Sequence, residues 1–158
     1  MSERTSKLFV LTALIHAVIA AIISSFFIFP PSGDSALGLT RMIAGGSAGT
    51  WVAVGYTMYI IAGFVGLSVW SYISATYGET NEWLSLAHLL LHNVGLLAPL
   101  FIFTAGIQGG TLALQGNPGA IHNAIVWSSE PSGILLGLVI LGTIIGVVNV
   151  LLALLTKK

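Results

Sequence analysis

The chain has 158 residues, 56% of them hydrophobic and only 6% charged, with zero formal net charge and no cysteine. A water-soluble domain carries about a quarter charged residues, so a surface built for water is excluded and lipid is the expected solvent. Balanced charge gives no reason to expect nucleic acid, and a chain without cysteine excludes disulfides, thiolate metal sites, iron–sulfur ligation and covalent c-type haem attachment.

The first element covers 8–29. Arg4 and Lys7 precede an apolar run, an arrangement that imitates a secretory signal. The run is too long for an h-region of about 7–15 residues, and no A-x-A cleavage site follows it. It is read as a retained first transmembrane helix. The next stretch, "PPSGDSALGLTRMIAGGSAG", begins with turn chemistry and is expected to end in a short helix. Two further apolar elements follow at 50–77 and 83–107. The connection between them, 78–82, is tight, so they are expected to be antiparallel neighbours.

The longest connection is 108–131, "QGGTLALQGNPGAIHNAIVWSSEP". Its Gly-Gly and Asn-Pro-Gly steps, and the Glu-Pro-Ser-Gly that begins within it, punctuate short apolar runs. It is expected as a long outer loop, in which "AIHNAIVW" forms an interfacial helix or a segment covered by another subunit; loops of this length are usually functional or docked. The last apolar element is 132–156. No internal repeat or low-complexity tract is visible.

Each of the four apolar stretches can cross about 30 Å of hydrocarbon at about 1.5 Å per residue. Only helices or a closed barrel satisfy every backbone group there, and the alternation a barrel needs is missing. The expected fold is therefore all-α: one domain, 1–158, forming a four-transmembrane-helix bundle. Four spans place both termini on one side, with Arg4, Lys7, Lys157 and Lys158 there and Arg41 alone opposite. The positive-inside rule makes the side of the termini cytoplasmic. Trp83 and Tyr77, and at the other boundary Trp51 and Trp127, fit an interfacial aromatic belt. Tyr56 and Tyr59 are expected to hydrogen-bond within the bundle.

Between helices in lipid, small residues allow close approach. Helix 4 carries two G-x-x-x-G pairs, 133/137 and 142/146. Helix 2 has Gly55, Gly63 and Gly66, and helix 1 a stripe of Thr12, His16, Ala20 and Ser24. Ordinary packing accounts for them; a flat cofactor or a partner helix is the sharper alternative.

The costly residues are histidines. An ionisable side chain inside a span is a functional-site hypothesis by default. His16 and His92 each lie about 12 Å from the cytoplasmic start of their helices, hence at nearly equal depth. His88 sits one turn from His92 on the same face. Asn149, with Ser68 and Ser71, falls in the same half, so one polar layer drawing on all four helices is expected. Three readings compete. The side chains can be interhelical ties. They can hold b-type haem, with His16 and His92 as axial ligands to the iron, His88 as partner or substitute and Asn149 in support; no arginine lies near the layer to pair with propionates. Or they can serve a quinone or a proton, with His88 or His92 titrating. A copper site from His88, His92 and a third histidine is a weaker variant. Spans without Asp or Glu argue against a proton relay and against a carboxylate-bridged di-iron site. His122 is expected at a surface or interface.

"HLLLHNVG" and "GYTMYIIAGFVG" have the general character of respiratory membrane subunits, histidine-bearing and rich in Gly and aromatics, without matching a named family. With no nucleophile–base pair, phosphate loop or acidic pair, catalysis by the chain alone is not expected. The leading expectation is a small accessory subunit of a respiratory or electron-transfer complex, terminal-oxidase-like, in the cell membrane of a prokaryote or an equivalent energy-converting membrane. Its partners would be lipid and other membrane subunits. The alternatives are an independent quinone- or haem-handling redox protein and an assembly protein with no ligand.

Overall fold

In the computed structural model, residues 3–29 and 46–156 are described, and these are entirely helical apart from short turns. Helix α1 is Glu3–Ile28. Helix α2 is Gly46–Tyr59; it continues without interruption through a π-helical segment, Ile60–Gly66, into α3, Leu67–Tyr77. Helices α4, Glu82–Gly95, and α5, Leu97–Leu114, follow, and α6 is Ala120–Thr156. Among the described residues four helices are long and apolar enough to cross a membrane: Arg4–Ile28, Gly46–Tyr77, Glu82–Leu114 and His122–Thr156. The stretch expected to turn and then form a short helix lies outside the described residues up to position 45.

The surface explains the composition. Leu11, Leu14, Val18 and Ile22 on α1, and Ile134, Ile140, Ile144 and Leu151 on α6, are exposed. Against lipid such side chains lose nothing by being outside, so burial does not select for large apolar residues. The interior is accordingly filled with alanine, glycine, serine, histidine and asparagine, including Ala13, Ala98, Ser85, His88 and Asn149.

Glycines set the closest approaches. A Cβ on Gly55 would meet Pro99 O at 2.7 Å and Phe103 Cα at 2.8 Å, and one on Gly106 would meet Val52 N at 2.6 Å and Ala48 O at 2.8 Å. Backbones of α2 and α5 thus lie against one another at two levels. Gly95 makes the same kind of contact with Leu135 O of α6, at 2.8 Å. On α6 itself the two G-x-x-x-G pairs divide. Gly142 and Gly146 are closed by α4, with Trp70 of α3 also against Gly146, whereas added Cβ atoms on Gly133 and Gly137 meet no described residue within 4 Å.

The turn between α3 and α4 is as tight as the sequence implies. Gly78 ends α3 with φ 83°, a value at home in glycine because it lacks a Cβ. Asn81, in an extended conformation, caps α4 by accepting from Trp83 N at 2.8 Å. Ser6 hydrogen-bonds to Ser71 at 3.1 Å, and Asn149 accepts from Thr80 N at 3.1 Å. The start of α1 and the last turns of α6 therefore share one end of the bundle with this turn.

Two expectations need correction. The third span is two helices, broken at Leu96. Pro99 has no N–H to give the Gly95 carbonyl, so the ladder is interrupted one turn earlier. And the long outer loop over 108–131 is not a loop: α5 runs on to Leu114, only residues 115–119 turn, with Gly116 at φ 91°, and α6 starts at Ala120 and passes through Pro131. The Gly-Gly step misled because Gly109 and Gly110 are buried packing glycines inside α5; tertiary contact outweighs their helix cost of about 1 kcal/mol each. Pro131 removes one donor without ending the helix. Spans of 32, 33 and 35 residues reach about 50 Å, well beyond about 30 Å of hydrocarbon.

Candidate functional site

His16 is held at both ring nitrogens. Its Nδ1 lies 2.7 Å from the Tyr59 hydroxyl and its Nε2 2.9 Å from Asn93 Oδ1. Asn93 Nδ2 donates to the Leu89 carbonyl at 2.7 Å, which fixes the amide with its oxygen toward His16. The tautomer follows from the partners: Nε2–H donates to Asn93, and Nδ1 accepts from Tyr59. One directed chain, Tyr59 to His16 to Asn93 to Leu89, joins the first three spans. The rings of His16 and Tyr59 meet edge to face, with centroids 5.4 Å apart. Gly63 makes room: a Cβ there would meet His16 Cβ and Cγ at 3.2 Å.

His92 is buried, and its Nε2 donates to the Ala62 carbonyl at 3.0 Å. Ala62 lies in the π-helical segment, where the ladder skips to i→i−5 and a carbonyl can turn toward a neighbour. Since Ala62 and Gly63 are adjacent, His16 and His92 meet the same stretch of the second span. His88, 1% exposed, lies one turn away, its ring 5.7 Å from that of His92. It is walled by Trp70 at 4.5 Å and Phe9 at 5.2 Å, and by Gly146, whose added Cβ would collide with His88 Nδ1 and Trp70. Among the described residues three buried side-chain atoms have no hydrogen-bond partner: Ser74 Oγ, His88 Nδ1 and His92 Nδ1.

The haem expectation can be set against this donor set. Axial ligation takes one imidazole lone pair from each side of the iron. His92 Nδ1 offers one. His16 does not, because Nε2 bears the proton given to Asn93 and the Nδ1 lone pair receives the Tyr59 proton. As arranged, His16 and His92 do not fit a bis-histidine haem. The three-histidine copper variant fares no better: among the described residues no three of His, Cys, Asp and Glu come together in a group able to hold a metal.

Asn149 lies elsewhere. Its Oδ1 accepts from the backbone N–H groups of Thr80 and Asn81, and its Nδ2 donates to Asn81 O and Ser85 Oγ at 2.9 and 2.8 Å. All four bonds close the α3–α4 turn onto α6, and no hydrogen bond reaches a histidine. Ser71 pairs with Ser6. At the far end Ser24 bonds to Tyr56. The single polar layer is in fact a series of ties at successive levels, because each long side chain reaches its neighbour about a turn from its own Cα. His122 is exposed near the start of α6.

Sequence reasoning missed Asn93, the Ala62 carbonyl and the π segment. Asn93 stood in plain view beside His92 in "LLHNVG". The π segment had no signal beyond Gly63 and Gly66. Among the described residues no acidic side chain is buried, so none of these imidazoles has a buried carboxylate partner. No family model matches the chain, and neither curated proteins nor solved structures give a match.

Proposed function

We propose that the chain is a small accessory subunit of a larger integral-membrane, electron-transferring complex, and that its part is to brace neighbouring subunits rather than to perform chemistry. One observation carries this reading. On a single helix, Gly142 and Gly146 are filled by α4 and Trp70 of α3, while an added Cβ on Gly133 or Gly137, at the same spacing, meets no described residue within 4 Å. Small-xxx-small faces are where helices associate in lipid, and the second pair has no partner within the described residues. Trp127 near the α5–α6 turn, 82% exposed, adds support. The polar interior is consistent with bracing, since Tyr59, His16, Asn93 and Asn149 are all occupied with one another or with backbone. The electron-transfer class rests on the histidine-bearing, glycine-rich spans alone. The location that goes with it is an energy-converting membrane, with both termini cytoplasmic.

The test is to extract the tagged chain from native membranes in mild detergent and measure its native mass. The expected species is several times heavier than one 16.5 kDa chain in its micelle, and Gly133→Leu with Gly137→Leu dissociates it without unfolding the chain. A lone chain in the wild type contradicts the reading. A second reading, an independent redox protein handling quinone or haem, is favoured by the two unpartnered nitrogens on α4. A Soret band in the purified chain that disappears in His92→Ala would establish it for haem.

A further inference from the structure

Two of the three unpartnered buried atoms, His88 Nδ1 and His92 Nδ1, belong to rings one turn apart on one helix. Buried polar atoms without partners call for an explanation, and a bound water or ion is the ordinary one. The chemistry of these two atoms narrows the choice. Because His92 Nε2–H donates to the Ala62 carbonyl, His92 Nδ1 carries a bare lone pair. For His88, placing the proton on Nε2 is the form that leaves no N–H unpaired at the buried Nδ1. Both nitrogens are then acceptors, and two acceptors cannot satisfy each other.

We propose that His88 and His92 together hold one Cu(I) ion through these two nitrogens. Spacing and charge both favour it. Two imidazoles that share one ion have ring centres at most about 6 Å apart, with about 2 Å for each metal–nitrogen distance and about 1 Å from each nitrogen to its ring centre; the separation of 5.7 Å lies within that reach. Histidines at i and i+4 are a familiar way for one helix to present two metal ligands. The site is neutral: both donors are uncharged, and no buried carboxylate lies among the described residues. A divalent ion there would leave two uncompensated charges in an apolar interior. A monovalent ion leaves one, and imidazole is a good donor to copper. Trp70 and Phe9 close over His88 and keep water from the ion. The proposal is independent of the bracing role, since it concerns the interior of one chain.

The test is an anaerobic competition between the full chain, purified in detergent without a histidine tag, and a chromophoric Cu(I) chelator. One Cu(I) per chain is expected to transfer. His88→Gln and His92→Gln should each weaken transfer at least tenfold, while His16→Gln and His122→Gln leave it unchanged. His88→Met, which restores a soft donor, should recover it; that recovery separates loss of a ligand from loss of the fold. Absence of stoichiometric transfer to the wild type, or transfer that both α4 substitutions leave intact, overturns the proposal, and the two nitrogens then face internal water.

Discussion

Tyr59 and Asn93 decide what His16 is able to do. With both ring nitrogens engaged, the imidazole works as a tie, and removing either partner leaves a lone pair or an N–H exposed to apolar surroundings. Tyr59→Phe is expected to cost about 0.6–2 kcal/mol, read as a lower midpoint for unfolding the detergent-solubilised chain by added SDS. Asn149→Leu should cost more, about 1–3 kcal/mol, because it leaves the Thr80 and Asn81 N–H groups and the Ser85 hydroxyl without their partner at once; the same titration checks it. At this scale the sequence was partly legible. The histidines and Asn149 stood out because polar atoms are conspicuous against an apolar background. Their partners did not, since a tyrosine, a second asparagine and a main-chain carbonyl acquire meaning only once helices are placed side by side. His16 and His92 meet the same stretch of the second span, but depth says nothing of which way a nitrogen points.

Helix pairing turns on glycine. At the α2–α5 crossing the nearest atom an added Cβ would meet is backbone at each glycine, which cannot swing aside, so Gly55→Ala and Gly106→Ala should each destabilise by about 1–3 kcal/mol. Gly146→Ala meets side chains of His88 and Trp70; these can give a little, and its cost should be the smaller one. Gly137→Ala should leave the isolated chain unchanged in the same SDS titration, because the added Cβ meets no described residue within 4 Å. Spans were readable from hydropathy because a crossing helix must be long and apolar whatever its neighbours. The 108–131 segment was not, because Gly-Gly and Pro carry opposite meanings in a turn and in a packed helix, and only the buried state of Gly109 and Gly110 tells them apart. The break at Leu96 had a legible cause in Pro99. The π segment had none, being a response of α2 to what packs against it.

For the molecule as a whole, the lipid solvent explains why so few large apolar side chains lie inside and why polar contacts do so much of the joining. Orientation can be read directly in a chain without cysteine. Thr156→Cys should react with an impermeant thiol reagent only from the cytoplasmic side, and Asn117→Cys, in the turn between α5 and α6, only from the other; the reverse pattern would invert the positive-inside assignment. The central claim is that the first three spans are tied through their interior by imidazoles in defined tautomers. Its most direct test is 15N solid-state NMR of histidine-labelled chain in bilayers at pH 9, well above the ordinary imidazole pKa of about 6.5, with resonances assigned by substituting one histidine at a time. His16 and His92 should both appear as Nε2–H tautomers, and the His16 Nδ1 resonance should move toward that of a free acceptor in Tyr59→Phe. A His16 resonance that carries its proton on Nδ1, or that ignores both Tyr59→Phe and Asn93→Leu, would contradict the account.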